Sequence, residues 1–285
     1  MKKVLGFFNL KRNMMFRSLL FITFLFLSGP HKLWPQITSS ARHLGMGEAG
    51  VGMGGQLNDL LGNPASLGFV SRPTILLGHR YFFNQPDINL QTLQLAFPIK
   101  KHGVAIALSH FGIEGAFRDL MMGICYAKGF GPDLSIGIGL RRQHLFIPAY
   151  VDEENYFLDF GAQYRMTEKM ILGILVEQLN LSGNSYNIQD YLQFNLGAGL
   201  YYLFDKQLGF AFDMAYNQVS GILFKSGIEY NIVPDHFSLR LGLISKDLIP
   251  TSGFGISWNQ FSLDLGSSFH PRLGMSPQID LSYAF

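Results

Sequence analysis

From Thr74 to the terminal Phe285 the sequence alternates: large apolar side chains occupy every second position, and glycine, alanine, polar or charged residues fill most of the positions between. Leu134, Ile136, Ile138 and Leu140 interleave with Ser135, Gly137, Gly139 and Arg141. Tyr156, Leu158, Phe160 and Ala162 interleave with Phe157, Asp159, Gly161 and Gln163, and Leu208, Phe210, Phe212 and Met214 with Gly209, Ala211 and Asp213. A period of two places each set on one face of a strand. A soluble sandwich also alternates, but its solvent face would carry lysine and glutamate rather than glycine and alanine. Only 15% of the 285 residues are charged, where a soluble domain usually has about 25%. The apolar set is therefore the outward one, and it faces lipid.

After Leu27 the chain has no apolar run of the roughly 18 residues that a membrane helix requires. The other structure that pairs all its backbone polar groups within hydrocarbon is a closed barrel. Fourteen alternating segments are counted, near 74–82, 89–98, 103–111, 117–126, 134–144, 155–166, 171–178, 192–203, 208–216, 221–230, 237–245, 251–258, 261–270 and 277–285. The fold class expected is an all-β, 14-stranded antiparallel transmembrane β-barrel over residues 74–285. An even strand number places both barrel ends on the periplasmic side. The longest connections, Leu145–Glu154 and Leu179–Tyr191, then fall outside, and tight turns such as Thr167-Glu168-Lys169, Asp205-Lys206-Gln207 and Asn259-Gln260 fall inside. The last strand ends Ile279, Leu281, Tyr283, Phe285, which resembles the signal read by the barrel-assembly machinery.

Residues 1–35 read as an export signal. Lys2, Lys3, Lys11, Arg12 and Arg17 precede a short apolar stretch, Ser18 to Leu27, and the mature chain is expected to begin near Gln36. The other reading of this stretch is an uncleaved N-terminal anchor. Cys125 is the only cysteine, which excludes a disulfide scaffold. A formal charge of +2 is too small to imply nucleic-acid binding. The expected location is a bacterial outer membrane, with membrane lipid as the first partner.

Nine charged residues fall on inward positions: Arg141, Asp159, Arg165, Asp213, Lys225, Glu229, Arg240, Asp264 and Asp280. Their mixed signs suit an internal ion-pair network better than a charge-selective solute path, because buried charges require partners. No metal or cofactor motif is present. Ser109-His110 and Ser268-His270 are the candidates for the Ser/His pair of a lipid hydrolase. The first pair points to opposite faces, and the second sits at the rim, so no enzyme is expected.

Residues 36–73 do not alternate and are expected to plug the lumen. Gly45-x-Gly47-x-x-Gly50 matches the dinucleotide fingerprint formally, but it lacks the preceding strand and the acidic residue further on. The glycines at 45, 47, 50, 52, 54 and 55 instead suit close passage of backbone against backbone.

The stretch Ala41-Arg42-His43-Leu44-Gly45-Met46-Gly47-Glu48-Ala49-Gly50-Val51, followed by Asn63-Pro64-Ala65-Ser66-Leu67, resembles the opening of FadL-like outer-membrane proteins. Within that superfamily it is most similar to the PorV/PorQ-type proteins of the Bacteroidetes type IX secretion system. Glu48 and Gly62 depart from the pattern. The resemblance implies a 14-stranded barrel with its N-terminal segment inside as a hatch, held by Arg42, Gly45, Gly47, Asn63 and Pro64. It implies a non-enzymatic role in protein secretion or surface attachment, with translocon subunits or cargo C-terminal domains as partners. The alternative is a FadL-like transporter of hydrophobic small molecules, for which an apolar pocket should run from the rim to the hatch near Gly45–Gly55.

Overall fold

The structure, a computed structural model, describes residues 40–54, 62–182, 194–217 and 221–285. The export segment expected over 1–35, Gly55 and most of the connection expected at Leu179–Tyr191 lie outside these residues. Fourteen antiparallel strands close into one barrel. They are β1 (Thr74–Phe82), β2 (Gln85–Ile99), β3 (His102–Ile113), β4 (Phe117–Phe130), β5 (Leu134–Ile147), β6 (Val151–Thr167) and β7 (Met170–Asn180), then β8 (Asn195–Leu203), β9 (Leu208–Asn217), β10 (Gly221–Val233), β11 (Phe237–Ile244), β12 (Ile249–Trp258), β13 (Phe261–His270) and β14 (Gly274–Ala284). Each strand pairs with its sequence neighbours, and β1 closes the ring on β14, from Thr74 opposite Ala284 to Arg80 opposite Gln278.

The alternation predicts both the strand count and the inward face. Ile138, Phe160, Ile174, Phe224, Leu241 and Ile279 all stand exposed on the outer wall. An apolar band of this extent is not stable against water, whereas hydrocarbon accepts it. At the barrel edge where β1 begins and β14 ends, Phe130, Tyr164, Phe204, Trp258 and Phe261 are exposed, matching the aromatic girdle of membrane barrels.

One connection differs from expectation. β5 runs on to Ile147 and β6 starts at Val151, so the long loop expected at Leu145–Glu154 shrinks to a turn at 148–150. Its outward residues are polar, and they pair across the two strands: Arg142 with Glu154, and His144 Nε2 with Asp152 at 2.8 Å. Hydrophobic alternation stops where lipid stops, but the hydrogen-bonded ladder continues.

The β6–β7 ladder is irregular between Leu158 and Phe160. Gln178 takes a left-handed conformation there (φ 62°), and its backbone N–H donates to Asp159 at 2.8 Å.

Candidate functional site in the lumen

The described residues before β1, 40–54 and 62–69, pack against the inner wall of the barrel. They open with a short helix, α1 (Ala41–Gly45), whose His43 N–H donates to the Ser40 hydroxyl at 3.3 Å. They later form a 3₁₀ turn, Pro64–Phe69, capped by Asn63, whose Oδ1 accepts from the Ala65 N–H at 3.0 Å. Between and around these turns the chain follows the inner wall in descending strand order. Ala41 faces Gly266 of β13, Gly45 faces Gly253 of β12, and Met46 faces Gly227 of β10. Val51 faces Gly173 of β7, Pro64 faces Gly137 of β5, and Leu67 faces Gly103 of β3.

This path explains why so many inward positions are glycine. A Cβ on Gly45 would come within 2.9 Å of the Gly253 Cα, and one on Gly103 within 2.5 Å of the Leu67 carbonyl. A Cβ on Gly47 would overlap the Ser226 carbonyl, and Gly47 also has φ 67°. The wall glycines thus form a belt, almost one per strand, that lets the plug backbone lie directly on the sheet.

A segment with so little regular structure must find partners for its backbone polar groups elsewhere. Inward side chains of the wall supply them. Thr251 Oγ1 accepts from the Gly47 N–H (3.0 Å) and donates to the Gly45 carbonyl (3.1 Å). Gln163 Nε2 donates to the carbonyls of Val51 (2.9 Å) and Met53 (3.2 Å), and Ser135 donates to that of Ala65 (2.6 Å). Asn63 Nδ2 donates to Val51 O (2.9 Å) and to Ile174 O of the wall (3.2 Å). Pro64, with no N–H to satisfy, starts the 3₁₀ turn.

Most of the inward charges fall into three groups. Arg42, Glu229, Arg240 and Asp264 form a chain of alternating sign. Arg42 reaches Glu229 through Nε (2.9 Å) and Nη2 (2.7 Å), and Arg240 reaches Glu229 at 2.6 Å and Asp264 at 2.5 Å. Charge-assisted bonds of this kind offset the desolvation of all four groups. Burial works against the Arg42 cation, but the Glu229 carboxylate outweighs it and raises the guanidinium pKa above its ordinary range. Arg141 pairs with Asp159 at 2.5 Å, behind the β6–β7 bulge.

The second group consists of carboxylates that hold plug N–H groups instead of cations. Asp213 accepts from Gly50 (2.7 Å) and Val51 (3.0 Å), and Asp280 accepts from Ala41 (2.6 Å). In the third, Glu48 of the plug stands between Arg80 (3.8 Å) and Lys225 (3.7 Å). Arg165 stacks on the ring of Phe69 at 4.9 Å. Thr251, Gln163, Ser135 and Arg80 were not anticipated as plug contacts. Their signal in the sequence is that they are the polar exceptions on otherwise small inward faces.

Above the plug, the external ends of β1–β4 enclose an apolar column. Phe82, Leu90 and Phe111 are buried, with Phe83, Ile88 and Phe117 packed around them. The rings of Phe82 and Phe111 meet edge to face at 5.2 Å, and those of Phe111 and Phe117 at 5.3 Å. The column ends on Arg80, whose guanidinium lies 4.6 Å from the centre of the Phe82 ring and faces Glu48. The open apolar pocket anticipated for a transporter, from the rim to the hatch, is not seen among the described residues; this place is filled by the packed side chains of the column.

The rim residues do not assemble a hydrolytic pair. Ser109 is buried on the inner face. Ser268 accepts from Arg80 at 3.2 Å, while His270 Nδ1 accepts from the backbone N–H groups of Arg272 and Leu273 at 3.2 and 3.1 Å.

No protein-family profile and no curated protein sequence matches the chain significantly. Solved structures do match. The Pseudomonas putida toluene transporter TodX superposes with a TM-score of 0.65 at 15% identity, covering 88% of this chain and 99% of that one. The monoaromatic hydrocarbon channel CymD gives 0.68 at 13% identity, covering 89% and 99%. A Pseudomonas aeruginosa FadL homologue gives 0.62 at 12% identity, covering 90% and 99%. At such identities the likeness speaks for the fold. By fold, the chain is a FadL/TodX-like 14-stranded barrel of the outer-membrane type with its N-terminal segment plugging the lumen.

Proposed function

We propose that this chain is an outer-membrane channel for small hydrophobic molecules, working by permeation rather than catalysis. One observation carries the reading. Inside the barrel the ends of β1 to β4 carry the packed Phe82–Phe111–Phe117 column, which ends on the Arg80–Glu48 contact with the plug. An apolar solute entering from outside meets an apolar surface that leads to the element closing the barrel. The neighbours TodX and CymD are described as channels for monoaromatic hydrocarbons. In this reading residues 1–35 direct export, and 36–73 form the plug, seated by Arg42, Gly45, Gly47, Asn63 and Pro64 and by the lumen charges. The secretion role anticipated from the opening motif draws no support from these neighbours.

The test is uptake of labelled toluene by cells with an intact outer membrane, with and without the chain. Uptake should rise with expression and fall when Phe111→Asp places a charge in the column. Uptake no faster than in cells lacking the chain would refute the reading.

A further inference from the structure

The outer wall is uneven in height. On β10, β11 and β13 exposed apolar side chains reach close to the external turns, as with Ile222, Leu243 and Phe269. On β2, β3 and β5 the outward residues above Leu93, Leu108 and Leu140 turn polar at Gln91, His110 and Arg142; on β4 the apolar set runs one step further, to Leu120 opposite His110, before Arg118. This side of the barrel therefore rises out of hydrocarbon into the head-group layer. There the outer face carries a groove of about 420 Å³ whose surface is mostly apolar; Phe117, Phe146 and Pro148 line it together with Asn89, Gln91, His110 and Arg118, and the turn at 113–117 bounds it.

The charges around this groove are not all matched. Arg142 pairs with Glu154, and His144 pairs with Asp152. Arg118 has no carboxylate partner and His110 no hydrogen bond among the described residues. Arg118 stacks over Phe146, 5.6 Å from the ring centre. Stacking leaves the in-plane N–H donors of a guanidinium free for an oxyanion. One carboxylate, Glu114, also lines the groove and opposes an anion there. Directly below His110 and Gln91, Leu93 and Leu108 continue the wall as an apolar surface.

We propose that this groove binds the head group of an outer-leaflet glycolipid carrying a phosphate on a sugar. The phosphate sits on Arg118 and His110, the sugar hydroxyls meet Asn89 and Gln91, and an acyl chain lies along Leu93 and Leu108. The unpartnered cation selects an anion, and its level at the edge of the apolar belt selects an amphiphile. The groove volume falls in the range of small-ligand sites. The proposal rests on the membrane placement given above and is independent of what permeates the lumen.

The experiment uses the full chain in phosphatidylcholine nanodiscs, with retained lipid read by native mass spectrometry. The probes are monophosphorylated lipid A, dephosphorylated lipid A and phosphatidylglycerol. The phosphorylated form should be retained over both others, and Arg118→Gln should weaken its retention about tenfold, as expected for loss of a hydrogen bond to a charged group. Glu114→Gln should strengthen retention. Arg272→Gln, a cation at the β13–β14 turn on the same rim, should leave it unchanged. Equal retention by Arg118→Gln, or phosphatidylglycerol held as tightly as lipid A, overturns the proposal. Failure of the chain to insert as a heat-resistant barrel overturns the membrane reading with it. Insertion without lipid A preference overturns this proposal alone, and toluene uptake by Arg118→Gln cells then reports on the channel separately.

Discussion

Arg42 and Glu229, 187 residues apart in sequence, meet in a two-pronged ion pair, with the Arg42 Nε and Nη2 donating at 2.9 and 2.7 Å. Both are buried, one on the plug and one on β10. The pair ties the segment that fills the lumen to the wall around it. Glu229 also receives Arg240, so one carboxylate serves two cations.

That asymmetry predicts different outcomes for the two partners. Arg42→Met leaves Glu229 neutralised by Arg240, while Glu229→Gln leaves the buried Arg42 facing an amide and Arg240 with Asp264 alone. Breaking a buried pair costs about 3–5 kcal/mol, and Glu229→Gln should lie at the upper end. Both variants should keep the heat-modifiable gel mobility of a folded barrel yet show larger single-channel conductance in planar bilayers, Glu229→Gln more so. Conductance equal to that of the unmodified chain in both would refute the tie.

The glycine belt predicts a second contrast. At Gly173 a Cβ would overlap the Val51 carbonyl of the plug, whereas at Gly274 (φ 96°) it would meet nothing within 4 Å. Gly173→Ala should therefore loosen the plug and expose residues 40–54 to protease while β7 still forms. Gly274→Ala should cost only the left-handed strain, about 1 kcal/mol, seen as a small shift of the urea midpoint with no change in cleavage.

The outer belt predicts a third. Ile138 lies midway along the outward face of β5 and is 40% exposed. Ile138→Lys should destabilise the barrel in vesicles by about 2–4 kcal/mol, the depth-dependent cost of a cation near the bilayer midplane. The same change should have far less effect at Tyr150, in the external turn. Urea unfolding from vesicles measures both, and equal effects would place the belt outside lipid.

The fourth concerns pH. Asp205, in the turn before β9, accepts from the backbone N–H groups of Gln207 (2.7 Å) and Leu208 (2.8 Å), and these bonds hold its pKa below the usual carboxylate value. A depressed folded pKa contributes stability above the unfolded value of about 4, and that contribution is lost as pH falls through the folded pKa. Asp205→Asn should be less stable than the unmodified chain at neutral pH, and the difference should close in acid. A difference that persists at pH 2 would mean the turn does not depend on the ionised carboxylate.

The sequence carried much of the fold, for identifiable reasons. β1 and β13 begin and end where the alternation predicts: β1 starts after Pro73 and ends at the two-residue turn Phe83-Asn84, and β13 lies between the short turns Asn259-Gln260 and Pro271–Leu273. The loop expected at Leu145–Glu154 is instead strand, because Arg142, His144, Asp152 and Glu154 satisfy one another across the ladder above the apolar belt. Alternation reports contact with lipid, so it is silent about strand that stands in the aqueous layer. The nine inward charges were legible as inward, since parity alone sets the face. Their partners were not legible: Arg165 stacks on Phe69, and Asp213 and Asp280 serve backbone N–H groups.

By itself the sequence determined the strands, their number, the lipid-facing set and the presence of a glycine-rich segment unfit to be strand. These follow from period, parity and local turn chemistry, which operate over a few neighbouring residues. Only the tertiary structure decided that the plug descends the inner wall from β14 toward β3, that a belt of wall glycines receives it, and that Glu229 joins Arg42 to Arg240. Those relations depend on the closed register of all fourteen strands. Barrel closure brings together residues separated by most of the chain, and no local pattern encodes which of them will meet.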